Sequence, residues 1–254
     1  MISLFLLSSL LTLPDGLSLL FTQQSYNLTV SAPTVVVHAN TVFGAMYALE
    51  SFSQLVDRGT FVNGTTIVDH PRYQFRATMI DTSRHYYPVE VILQHIDAMS
   101  YSKFNVLHWH IVDSISFPYQ SIKFPEMSKQ GAYSPDHVYT ADDIRQIVSY
   151  AMNRGIRVIP EFDTPGHVRE GYAALDPPIL TTCYDSNGKP IEGVGGTGPL
   201  DVVSQISEEE QADGMEKHIY TRLKHIKTIK NIFFFFNSFS LFSNYVQLFT
   251  LYRH

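Results

Sequence analysis

Three segments of this chain rich in apolar residues each end in an aspartate, and two amphipathic helical patterns separate them. The segments run from Arg76 to Asp81, from Asn105 to Asp113 and from Ile156 to Asp163. Between the first two, Pro88 takes a first-turn helical position ahead of a stripe of Val89, Ile92, Ile96 and Met99. Between the second and third, Thr140-Ala-Asp-Asp143 caps a helix whose apolar face is Ile144, Ile147, Val148 and Ala151, and Gly155 ends it. Strand, helix, strand, helix, strand requires parallel pairing with right-handed crossovers. The three aspartates then share one sheet edge. Carboxylates are expensive to bury without a task, and that edge is where a (β/α)8 barrel or an open α/β sheet places its chemistry. No Gly-x-Gly-x-x-Gly turn or P-loop directly follows these strands, which argues against a nucleotide; no cofactor is expected.

The remaining sequence divides around this core. Residues 1–20 are a signal-like apolar segment without a basic leading region. Residues 21–70 read as the end of a small α+β domain. It has strands from Tyr26 to Val30 and Thr34 to Val37, then a helix after Asn40 with a stripe of Val42, Met46, Leu49 and Val56. Residues 71–200 hold the strand–helix alternation and close on a Gly- and Pro-rich loop from 168. Residues 201–254 read as a divergent tail, polar to Lys230 and then uncharged from Asn231 to Tyr252. That stretch is long enough to span a bilayer, but Asn237, Ser238, Ser240, Ser243, Asn244 and Gln247 interrupt it, against a membrane anchor. Sequence foreign to the domain is the expectation there.

Composition narrows the class further. With 44% hydrophobic residues the chain is too apolar for a disordered protein, and its net charge of −6 argues against a nucleic-acid partner. One cysteine, Cys183, supports neither an internal disulfide framework nor a zinc–thiolate cage. Two N-glycosylation sequons, Asn27-Leu-Thr29 and Asn63-Gly-Thr65, point to a secreted or lysosomal protein.

Candidate site residues cluster where the strands end. Arg84, just beyond Asp81, suits forked hydrogen bonds to hydroxyl or carboxylate oxygens. Strict alternation along the second strand puts Trp109, Ile111 and Asp113 on one face and His108 and His110 on the other. With Asp113 toward the pocket, both histidines are expected to face the helices. On the third segment, Pro165-Gly166 turns the chain sharply, so that Asp163 and His167 can meet each other and Asp113. A histidine flanked by carboxylates is placed to tune a proton donor.

Asp81-Thr-Ser-Arg-His-Tyr86, Asn105-Val-Leu-His-Trp-His-Ile-Val-Asp113 and Glu161-Phe-Asp-Thr-Pro-Gly-His167 together resemble the β-N-acetylhexosaminidases of glycoside hydrolase family 20. Ala45 to Leu55 resembles the end of that family's N-terminal α+β domain. The resemblance, from about Tyr26 to Pro199, implies a partial (β/α)8 TIM barrel, its first three or so βα units, preceded by the end of an α+β domain. It implies retaining hydrolysis of terminal N-acetylglucosamine or N-acetylgalactosamine, with the substrate's acetamido oxygen as nucleophile. Glycans ending in N-acetylhexosamine are the implied partners, and a dimer is allowed for the full-length protein. Arg84 matches the arginine that binds the ring hydroxyls. Asp113 and His167 match the pair that supports the general acid, and Asp163 matches a further acid of that network. The family's catalytic Asp-Glu pair has no counterpart, because no Asp-Glu dipeptide occurs in the sequence. The chain therefore reads as a truncated, inactive member, and Cys183 as one half of a family disulfide. Two rivals remain: a metal-dependent barrel hydrolase using His108 and His110, and a non-enzymatic sugar-binding protein. The leading reading needs no metal.

Overall fold

The computed structural model describes residues 3–7, 24–57, 61–175, 179–191 and 196–201. The first unit is a four-stranded sheet in the order β1-β3-β2-β4, with β1 Ser3–Leu7, β2 Tyr26–Ser31, β3 Thr34–Ala39 and β4 Thr65–Asp69. Strand β1 runs parallel to β3 and the other pairs are antiparallel. Alternation buries Tyr26, Leu28 and Val30 and leaves Asn27 on the open face. Helix α1, Val42–Leu55, covers the buried face and is capped by Thr41, whose Oγ1 accepts from the Gly44 amide at 3.2 Å. Its buried residues are Gly44, Tyr47 and Ala48, whereas Val42 and Leu49 are exposed. The helix is thus turned away from the stripe expected from the sequence. The small residues Gly44 and Ala48 allow the close approach, and Tyr47 is held by Arg76.

The second unit is the parallel sheet β5-β6-β7, with β5 Ala77–Asp81, β6 Val106–Val112 and β7 Arg157–Phe162. Helices α2, Val89–Tyr101, and α4, Ala141–Met152, are the crossovers, and a short α3, Pro125–Gly131, precedes α4. Helix α4 begins with a full capping box between Thr140 and Asp143. Its buried Ile147, Val148 and Ala151, with Ile92, Ile96 and Met99 of α2, pack on Leu107, Trp109, Ile111 and Val158 of the sheet. These stripes fall where the helical spacing places them. Register sets Asp81 beside His110 and His110 beside Glu161, so the strands end level.

Two basic side chains join the units. Arg76 donates from Nη2 to Gln24 Oε1 at 2.8 Å and to Tyr47 Oη at 3.0 Å. Lys103 Nζ donates to Tyr26 Oη at 3.0 Å and Ser51 Oγ at 2.6 Å.

Several expectations are modified or lie beyond view. The Gly- and Pro-rich stretch holds a 3-10 turn at Tyr172–Ala174 and an antiparallel pair, β8 Leu180–Thr182 with β9 Thr197–Leu200. Gly193, Gly195 and Gly198 have the spacing of a dinucleotide turn, but the chain at Thr197–Leu200 is a strand and not a helix start. Asn27 and Asn63 are both exposed, and Cys183 is a free thiol. The expectations for residues 8–20 and 202–254 fall outside the described residues. Among the described residues, no helix is long and apolar enough to cross a membrane.

Behind the site, the chain after β7 packs tightly. Gly171 has φ +81°, and a Cβ there would lie 2.5 Å from Phe117 Cγ. Gly171→Ala is expected to lower stability by roughly 2–4 kcal/mol, from positive φ and overpacking together. Urea unfolding of the variant against the parent measures this.

Candidate active site

The strand ends converge on one carboxylate. Asp113 follows β6 and is 4% exposed. Its Oδ1 accepts from the Ser114 amide at 2.5 Å. Its Oδ2 lies 2.6 Å from Arg84 Nη2, 2.9 Å from His110 Nε2 and 3.1 Å from His167 Nδ1. A second arm reaches into β7, where Glu161 Oε2 lies 2.8 Å from His110 Nδ1 and 2.6 Å from His108 Nε2.

Each of these side chains is placed by local backbone chemistry. After β5, Asp81 Oδ1 accepts the amides of Ser83 and Arg84, each at 3.0 Å, and Oδ2 accepts from Arg84 Nη1. This turn built on an aspartate side chain folds Arg84 back across the strand ends. Burial alone would raise the Asp81 pKa, but the Arg84 and Ser83 hydrogen bonds hold it below the usual carboxylate range. After β7, the Pro165-Gly166 turn delivers His167, which sits at φ +57°. That left-handed conformation is costly for a residue with a Cβ. It sets the ring over Asp113, with Nε2 3.9 Å from Asp163 Oδ2.

The sequence-derived residues Arg84, Asp113, Asp163 and His167 therefore come together, as the strand-end argument expects. The placement of the histidines differs. The β6–β7 register shifts between His110 and Val112, and this bulge breaks the two-residue alternation. Asp113 consequently meets His110, and both histidines face Glu161 rather than the helices. Trp109 lies on the opposite side, edge-on to Tyr139 at 5.1 Å, and donates from Nε1 to Thr82 Oγ1 at 2.8 Å. Sequence reasoning gave no site role to Glu161, named His110 only as a metal ligand of a rival reading, and named Asp81 only as a strand-end carboxylate. For Asp81 the aspartate two and three residues before Ser83 and Arg84 was a usable signal; a bulge leaves none.

Chemically, the cluster is a carboxylate encircled by donors, open to solvent through Arg84 and His167, whose side chains are 42% and 56% exposed. One oxygen of each of Asp113 and Asp163 and one ring nitrogen of His167 lie within 4.8 Å of one another, a spacing that suits a metal ion. The guanidinium of Arg84 already stands against the same Asp113 oxygen, which disfavours a cation there. His108 and His110 are poorly disposed as a metal pair, since His110 has both ring nitrogens engaged by carboxylates.

Comparisons with known proteins give the family of the chain. The family model described as glycosyl hydrolase family 20, catalytic domain, matches residues 73–237, and one described as beta-acetyl hexosaminidase like matches residues 16–55. The human beta-hexosaminidase subunit beta is 52% identical over 190 residues, 73% of this chain and 34% of that protein. The rat beta-hexosaminidase subunit alpha is 47% identical over 178 residues, 68% of this chain and 33% of that protein. This chain thus spans about a third of the length of these curated relatives. Among solved structures, the chitobiase of Flavobacterium johnsoniae superposes with a TM-score of 0.64 at 29% identity, covering 84% of this chain and 31% of that one.

Removing the shared acceptor tests the cluster. Asp113→Ala leaves buried His110 without one of its two carboxylate partners and should cost about 3 kcal/mol. Arg84→Ala, at an exposed ion pair, should cost no more than about 1 kcal/mol. Urea unfolding at neutral pH orders the two.

Proposed function

The chain belongs to glycosyl hydrolase family 20, and we propose that its site is the sugar-holding part of a β-N-acetylhexosaminidase centre. In this reading β5, β6 and β7 are the first three βα units of a (β/α)8 barrel, and the substrate is a glycan ending in N-acetylglucosamine or N-acetylgalactosamine. The observation that carries it is the convergence of Arg84 and His167 on one oxygen of Asp113 at the strand ends.

Each residue then has a definable task. Arg84 donates from Nη1 to Asp81, its Nη2 stands against Asp113 and 3.4 Å from His167 Nδ1, and the guanidinium remains exposed. It donates to vicinal ring hydroxyls, the geometry a planar fork serves. Asp113 keeps that fork aimed and holds the His167 ring. His167, with Asp163 behind it, supports a general acid that protonates the departing glycosidic oxygen. The acetamido oxygen of the substrate closes on the anomeric carbon and returns the configuration to its starting sense after water attack.

The acid and the carboxylate that orients the acetamide form an Asp-Glu pair in this family's pattern, and the 254 residues contain no such dipeptide. Loss of a general acid costs about 10²–10⁴-fold. The sequons at exposed Asn27 and Asn63 support passage through the secretory route to a lysosomal or extracellular destination, and a dimer of the full-length protein is part of the same reading. A non-enzymatic sugar-binding role is a second reading of the 254 residues by themselves, supported by the exposed guanidinium of Arg84.

Two assays on the purified 254-residue chain test this. Release of 4-nitrophenol from 4-nitrophenyl N-acetyl-β-glucosaminide should stay at the blank level; steady turnover would overturn the dependence on the Asp-Glu pair. N-acetylglucosamine should perturb the spectrum of the chain, and Arg84→Ala should weaken that binding about tenfold or more, the loss of a charge-assisted pair of bonds. Equal binding by the variant would remove Arg84 from the sugar site.

A further inference from the structure

We propose that His110 is a doubly protonated imidazolium that positions Asp113 for the sugar site, with Glu161 as the carboxylate that keeps the second ring proton in place. The positional part rests on the sugar-site reading above; the protonation part does not.

The argument begins with what each atom can donate. Ionised carboxylates only accept hydrogen bonds. His110 Nδ1 lies 2.8 Å from Glu161 Oε2 and its Nε2 lies 2.9 Å from Asp113 Oδ2. A neutral imidazole has one N–H and satisfies one of these acceptors. Two carboxylates on opposite sides of one ring call for two N–H groups, and hence a positive charge. Asp113 Oδ2 also faces Arg84 Nη2 at 2.6 Å. Glu161 is held down to about 2 by hydrogen bonds from His108 and His110.

The groups facing His110 from each neighbouring element balance in its favour. Glu161 comes from β7 and His108 from its own strand. Asp113 follows β6, while Asp81 acts on it from the end of β5. Arg84, Asp163 and His167 stand beyond Asp113. Burial opposes the charge on His110, but the bonds from Glu161 and Asp113 outweigh it and raise its pKa above the ordinary 6.5.

This charge has a positional consequence. Arg84 and His167 reach Asp113 from the exposed side. His110, at 5% exposure, grips the same oxygen from the buried side. It is the fixed point against which Arg84 is aimed. A histidine with a raised folded pKa stabilises fully below its unfolded value and loses that contribution as pH rises through the folded one. Glu161, depressed to about 2 from 4.5, contributes fully above 4.5 and loses it as pH falls toward 2. Both arms of the clasp are therefore complete between 4.5 and 6.5.

Histidine-selective 15N spectra of the 254-residue chain test the charge, with His110 assigned by comparison with His110→Gln. Both ring nitrogens of His110 should carry protons at pH 6.5, and Glu161→Gln should lower its titration midpoint by about one unit or more, tenfold in proton affinity. A singly protonated ring at pH 6.5 in the folded parent would overturn the proposal. If Glu161→Gln fails to fold, Asp113→Asn removes the other carboxylate charge and must lower the same midpoint. Positioning is read by titrating N-acetylglucosamine at two pH values. Glu161→Gln should bind like the parent near pH 5, where His110 is protonated in both, and more weakly at a pH between the two measured ring midpoints, where only the parent is protonated. An equal loss at both values would mean that Glu161 serves only the fold, against the proposal. If the parent binds no sugar at either pH, the sugar-site reading fails and the positioning role with it, while the ring spectrum still decides the charge on His110.

Discussion

One carboxylate oxygen organises this end of the molecule. Asp113 Oδ2 is hydrogen-bonded to His110 on β6 and stands within ion-pair reach of Arg84 beyond β5 and His167 beyond β7. Contacts from one segment would leave the strand-end loops independent. With three, the segments after β5 and β7 are brought together on one buried carboxylate. The left-handed backbone at His167 is what brings its ring against that carboxylate.

That convergence depends on a one-residue irregularity. In an unbroken strand His110 and Asp113 would point to opposite faces. The register shift after His110 rotates Asp113 back to the side of His110 and Glu161. It also lets Ile111 and Val112 both be buried in the same apolar cluster. Bulges recur beside functional sites because they re-aim one side chain without disturbing the ladder on either side. Here the ladder is intact from Val106 to His110, which keeps Trp109 locked against Thr82 and Tyr139.

Much of the architecture was legible in the sequence because it follows from period. The stripes of α2 and α4 and the strands β5 to β7 are strong period signals, and the Thr140 capping box marks a start that the structure reproduces. The gathering of Asp113, Asp163 and His167 was legible from topology alone, since parallel strands end on one side. Illegible features were those set by tertiary contact. The rotation of α1 is decided by the small residues Gly44 and Ala48 and by the grip of Arg76 on Tyr47, and not by its hydrophobic spacing. The β8–β9 pair is too short for a pattern to emerge from a Gly-rich stretch. The sidedness of His108 and His110 was inferred from an alternation that the bulge interrupts.

The electrostatics of the cluster limits what it can do. The buried carboxylate of Asp113 is committed to its neighbours, a guanidinium and two imidazoles gathered on one oxygen. Asp81, bonded to Arg84 and to two amides, is committed in the same way, and Glu161 is committed to two histidines. Arg84 and His167 are the most exposed members of the cluster, and His167 Nε2 lies 3.9 Å from Asp163 Oδ2. The cluster therefore presents a guanidinium and an imidazole to solvent over carboxylates that are already engaged, an arrangement suited to holding a polar ligand through donors.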